Sequence, residues 1–183
     1  MEEATRNQIS RAKYIICSCE GAAEQEIMDL LLNNELLIFA RSQLVYGEVT
    51  KLRKGEDIKN KYLGADYDEK IVLLRILDSR RENIRIPKPY KEKVEIVNIN
   101  TNPEIEILLI IYFGKYQEYI RHYKSFKKPS EYCKEILKIT DCKKQGYFNE
   151  LFGSRVDVLV KVLKEYSSHR NRSEGYFLSD LLK

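Results

Sequence analysis

Three short runs set the limits on what this chain can fold into: Tyr14–Cys19 (YIICSC), Ile71–Leu77 (IVLLRIL) and residues 94–99 (VEIVNI). All are rich in aliphatic and β-branched residues, and the first two are apolar almost throughout instead of alternating. A strand of that kind is covered on both faces, as in a parallel sheet sandwiched between helices. The first run ends at Glu20-Gly21 and the second at Asp78.

Helical spacing fills the gaps. After Gly21, the segment AAEQEIMDLLLNN places Ile27, Leu30 and Leu31 on one stripe and stops at Asn33-Asn34. Residues 36–39 and 44–46 read as one or two short strands, 51–63 as a charged, weakly helical stretch, and Pro87 and Pro89 as a loop. From Pro103 to His122 the apolar positions Ile107, Leu108, Ile111 and Tyr112 predict one helix, opened by a proline suited to the first helical position. Ser130 predicts the N-cap of a helix over 131–139, residues 156–166 form an amphipathic helix, and 176–182 a last helical turn. Strands alternating with helices over the first 110 or so residues argue an α/β fold: a mostly parallel sheet flanked by helices, with a helical C-terminal part over about 115–183. Residues 1–12 are polar and expected to fray, which leaves 13–183 as a single domain.

Composition excludes several classes. A third of the residues are charged (33%), and no apolar run approaches the roughly 20 residues of a membrane-spanning helix; the longest, 105–113, is interrupted by Glu106. MEEATRNQISRAK lacks an apolar signal region, so the expectation is a cytoplasmic protein with reduced thiols. The spacings of Cys17, Cys19, Cys133 and Cys142 do not form the paired CxxC knuckles of a zinc site, and they read as small buried residues. His122 and His169 have no Cys or His at ligand spacing, and neither a P-loop nor a G-x-S-x-G elbow occurs.

Two carboxylates stand where α/β folds place chemistry. Glu20 follows one predicted strand and precedes a helix; Asp78 follows another strand. Ligands of open parallel sheets bind beyond the carboxyl ends of the strands, so Glu20 and Asp78 could meet at one sheet edge, with Gly21 allowing a tight corner. Carboxylates there suit Mg²⁺, which prefers oxygen ligands. The plain alternative is that Asp78 caps a turn and Glu20 is merely exposed.

The segment YIICSCEGAAEQEIMDLLL resembles the first motif of TOPRIM domains, in which a Glu-Gly pair ends the first strand. IVLLRILDSR falls where TOPRIM proteins carry the strand ending in Asp-x-Asp. The stretch from Asn102 to Glu106, its apolar helix and the basic, tyrosine-containing segment behind it are similar to the RloB-like branch, which is linked to restriction and abortive-infection loci in bacteria. The resemblance covers roughly residues 14–166 and implies a TOPRIM-like, Rossmann-like sheet. It also implies a metal-dependent nuclease cleaving DNA or RNA phosphodiesters with Mg²⁺ or Mn²⁺ in anti-phage defence. A further defence protein would then be a possible partner.

Carried over residue by residue, the resemblance gives Glu20 the glutamate role and Asp78 that of the first aspartate; both would hold the metal and take part in catalysis. Arg80 stands where the second aspartate is expected. A cation there repels the metal. Either another carboxylate replaces it, from Glu82, Glu104 or Glu106 with Glu106 favoured, or Arg80 contacts a phosphate oxygen through its planar fork, or the site is not catalytic. Glu104 and Glu106 also read as ordinary carboxylates at a helix start.

Charge is distributed unevenly. Residues 1–114 carry 17 Lys and Arg against 19 Asp and Glu, whereas residues 115–183 carry 15 against 9. Lys115, Arg121, Lys124, Lys127 and Lys128 interleave with Tyr116, Tyr119 and Tyr123, a pattern suited to phosphate contacts and base stacking. The same pattern also arises when tyrosines pack inward and lysines are solvated. Two functions follow: a TOPRIM-type nuclease, or a catalytically degenerate binding or regulatory subunit of a larger defence complex.

Overall fold

The computed structural model describes residues 1–78 and 83–183. Five strands form one all-parallel sheet in the order β2-β1-β3-β4-β5: β1 (Tyr14–Cys19), β2 (Leu44–Thr50), β3 (Ile71–Leu77), β4 (Val94–Asn100) and β5 (Tyr176–Phe177). β1 and β3 run in unbroken register from Tyr14 opposite Ile71 to Cys19 opposite Ile76, and β3 continues to Leu77 opposite Asn100 of β4.

Near-continuous apolar strands have the expected cause. On β1 and β3, Ile15, Cys17, Cys19, Val72, Leu74 and Ile76 enter a large core, while Ile16, Ile71 and Leu73 enter a smaller one behind the sheet. Successive side chains point to opposite faces, so covering both faces favours apolar residues along the whole strand, with Ser18 and Arg75 the buried polar exceptions. The large core is closed by α2 (Ala22–Asn33), α4 (Ile107–Tyr112), α7 (Tyr147–Phe152) and α8 (Val156–Ser168). The smaller core lies under α3 (Gly55–Tyr62) and the chain around Ile84 and Ile86. All four cysteines are buried free thiols, and no described helix is long and apolar enough to cross a membrane.

Several elements differ from the sequence expectation, each for a tertiary reason. Residues 1–12 are not frayed: α1 (Glu3–Arg11) buries Ile9 completely. Arg6 donates to the Asp180 and Leu182 carbonyl oxygens, both at 2.8 Å, and the Met1 amino group pairs with Asp180 at 3.1 Å. Residues 36–39 form no strand; Leu37 makes a single antiparallel bridge to Leu182. The long helix from Pro103 is instead α4 and α5 (Tyr116–His122), separated at Gly114, whose φ of +67° no helix accepts. Pro129, not Ser130, opens α6 (Pro129–Glu135). The unpredicted α7 is anchored by Glu26 of α2, which accepts the backbone N–H groups of Gly146, Phe148 (3.1 Å) and Asn149 (3.4 Å). The expected last helical turn begins as β5, which extends the sheet beyond β4 and is followed by a 3₁₀ turn over Leu178–Leu181.

Candidate functional site

In the order 2-1-3-4-5 the chain leaves β1 toward one side of the sheet and returns to the other, which opens a crevice beyond the carboxyl ends of β1 and β3. Glu20 and Asp78 are the residues that follow those two ends. The Glu20 N–H donates to the Ile76 carbonyl at 3.0 Å, prolonging the ladder. The Asp78 N–H then donates to Glu20 Oε2 at 2.9 Å, so the two residues meet at one sheet edge. The other Glu20 oxygen pairs with Arg53 Nη2 at 2.8 Å. Beyond β4, Asn102 donates from Nδ2 to the Asp78 carbonyl at 3.1 Å, and the segment that follows brings in Glu104 and Glu106.

The resulting cleft, about 250 Å³, is walled by Glu20, Glu24, Asp78, Glu104, Glu106 and Lys143. Glu24 enters from the first turn of α2 and is 5% exposed. Gly21 serves this approach: its φ of −134° is open to any residue, but a Cβ there would stand 2.8 Å from Glu24 Oε2. The glycine thus provides room beside a carboxylate as well as the corner expected of it. A larger cavity, about 580 Å³ along the β4 edge near Gln8, Asn98 and Tyr176, gathers no comparable set of acids.

Burial and crowding raise three of the cleft's carboxyls. Burial, reinforced by the charges of Glu106, Asp78 and Glu20, pushes the Glu24 carboxyl up to about 7. Asp78 rises to about 6 through burial and then the adjacent Glu20, with Arg53 opposing. Glu106 is also raised, chiefly by burial. Glu104 goes the other way. Burial would raise it, but the Ser130 N–H at 3.0 Å and Lys143 Nζ at 3.0 Å outweigh that and hold it below the usual carboxylate range.

No family model, curated protein or solved structure matches this chain. The cleft is therefore read from its own chemistry. Its donors are carboxylate oxygens, the hard ligands that Mg²⁺ and Mn²⁺ accept, and two of them, Glu24 and Asp78, are raised by burial and by neighbouring carboxylates. That donor set fits a divalent cation in kind. Among the described residues, however, no three acidic, histidine or cysteine side chains already stand in a coordinating arrangement. Arg53 occupies Glu20, and Lys143 bridges toward Glu104 and, at 4.0 Å, Glu106.

Of the residues expected from sequence, Glu20, Asp78 and Glu106 do come together, with Glu104 beside them. Arg80 and Glu82 lie outside the described residues. Glu24, Arg53 and Lys143 were missed. Glu24 had a signal, since it follows Glu20 by one helical turn; Lys143 read, with Lys144, only as an extension of the basic pattern of the C-terminal part, and Arg53 had no signal, because it arrives from a distant segment.

The basic set divides. Lys124, Lys127 and Lys128 line one cavity of about 570 Å³ with Tyr119 and Phe126, whereas Lys115 and Arg121 do not reach it. Lys115 pairs with Glu118 at 2.9 Å, and Lys127 with Glu135. The tyrosines turn inward. Tyr119 is 2% exposed and donates to the Lys127 carbonyl at 2.8 Å; Tyr123 packs edge-on against Tyr132, and Tyr116 stacks on His169.

Proposed function

We propose that this chain is a metal-dependent nuclease of the TOPRIM type that cleaves nucleic-acid phosphodiesters, in the bacterial anti-phage setting its sequence resemblance implies. The observation that carries this reading is the contact of Glu20 with Asp78 at the β1/β3 crevice, 2.9 Å from backbone nitrogen to carboxylate oxygen. Glu20, Asp78 and Glu106 would hold Mg²⁺ or Mn²⁺. A cation bound there supplies positive charge to a phosphorus centre gaining negative charge, and lowers the pKa of water.

The chain's own groups divide the remaining work. Asn102 and the β3–β4 ladder fix the Asp78 backbone, while Arg53 fixes the orientation of Glu20. Glu24, with its carboxyl near 7, is able both to give and to take a proton at neutral pH, the property required of a general acid or base. Lys143 places a positive charge at the cleft rim, where a phosphate oxygen would approach.

One observation favours a second reading. Arg53 and Lys143 already neutralise Glu20 and Glu104, as would suit a catalytically degenerate binding or regulatory subunit. The two are separated by incubating the purified chain with single- and double-stranded DNA and RNA in Mg²⁺, Mn²⁺ or EDTA, beside Glu20→Ala and Asp78→Ala. The nuclease reading expects metal-dependent cleavage that both substitutions abolish. Cleavage that survives both, or that appears under no condition, would overturn it.

A further inference from the structure

We propose that the cavity around Phe126 binds single-stranded nucleic acid, with one unpaired base stacked on the Phe126 ring and the adjoining phosphates on Lys124 and Lys128. This deepens the nuclease reading and rests on it for the direction in which the strand runs, toward the acidic cleft.

The cavity lies beside the cleft: Asn102 lines the cavity while its amide holds the Asp78 carbonyl. Lys128 and Pro129 line it immediately before Ser130, whose N–H holds Glu104.

Phe126 is 69% exposed, the most exposed of the large apolar side chains, and its only ring neighbour among the described residues is Tyr123, tilted at 49° with centroids 6.0 Å apart. Tyr119, Tyr123 and Tyr132 pack on one another. Lys124 and Lys128 are exposed and make no ion pair among the described residues. The other charges of the cavity are committed: Lys127 to Glu135, Arg170 to Glu174 at 2.5 Å, and Glu131 to the Lys128 N–H at 2.9 Å. What faces solvent is one aromatic face between two free cations, the combination by which proteins hold single strands without reading sequence. A duplex keeps its base faces stacked internally and cannot use it.

The chain contains no tryptophan, so Phe126→Trp installs a single tryptophan at this ring, excited selectively over the tyrosines at the red edge of their absorption. Binding is measured in EDTA, with a labelled 12-nucleotide single strand, the matching blunt duplex and an abasic strand of equal charge. Expected results are quenching of the new tryptophan by the single strand and none by the abasic strand. Affinity should be about 5- to 150-fold weaker in Phe126→Ala, the range of one base–aromatic stack. Lys124→Ser with Lys128→Ser should lower the slope of log K against log salt by about 1.4, or about 0.7 for each phosphate that a lysine no longer neutralises. Unchanged tryptophan emission with bound strand, parental affinity in Phe126→Ala, equal quenching by duplex, or no binding at all would overturn the proposal. Because no metal is present, quenching without cleavage in the companion assay would sink the nuclease reading alone, and cleavage without quenching this one alone.

Discussion

Replacing Glu24 with glutamine should remove a large part of the pH dependence of this protein's stability between about pH 5 and 8. Glu24 is 5% exposed, and its carboxyl is held up to about 7 by burial and by its acidic neighbours, against an ordinary 4.5. The unfolded chain therefore ionises Glu24 from about pH 4.5, while the folded protein keeps the proton until about pH 7. The folded state gains from the proton: stability is fully present below the unfolded value, declines as pH rises, and levels off above the folded value. At about 1.4 kcal/mol per pH unit of separation this amounts to about 3 kcal/mol, most of which falls between pH 5 and 8. Glutamine keeps the shape and removes the ionisation. Urea unfolding across that range should show the parent losing about 2–3 kcal/mol more than Glu24→Gln. Parallel stability curves would refute the reasoning, since they would mean that burial beside Glu106 and Asp78 does not hold the proton.

Other perturbations test the scaffold and the cleft. Arg6→Ala removes two charge-assisted bonds to the Asp180 and Leu182 carbonyls; it should cost about 2 kcal/mol and raise amide exchange throughout α1. Gly55→Ala places a Cβ 1.9 Å from the Arg85 carbonyl oxygen, so about 3 kcal/mol or more should be lost in denaturant titration. Phe177→Ala empties a fully buried site on β5 and should cost about 3–5 kcal/mol, with early exchange of the β5 amides. Lys143→Met removes the cation beside Glu104 and Glu106; carbon-13 NMR titration should show both carboxyls moving to higher pKa, and unchanged titrations would contradict the assigned contacts.

The apolar runs at 14–19 and 71–77 were legible as strands because burial on both faces demands apolar residues at consecutive positions, a pattern that does not depend on knowing the neighbours. The positions of Glu20 and Asp78 at strand ends were equally legible, since strand boundaries are local. Residues 1–12 looked free because they are mostly polar, and what secures α1 is the far end of the chain. The helix from Pro103 looked continuous because hydrophobic spacing is blind to the positive φ at Gly114.

The sequence by itself determined the kind of sheet and the residues offered at its carboxyl edge, because both follow from local composition and from which residue ends each strand. Only the tertiary structure decided that β1 and β3 are neighbours at the point where the strand order reverses, and hence that Glu20 and Asp78 touch. It also decided that Glu24, Arg53 and Lys143 complete the cleft, and that Phe126, not a tyrosine, faces solvent among the lysines. Those outcomes depend on charges and surfaces brought together from segments far apart in the chain, and no local pattern encodes such encounters.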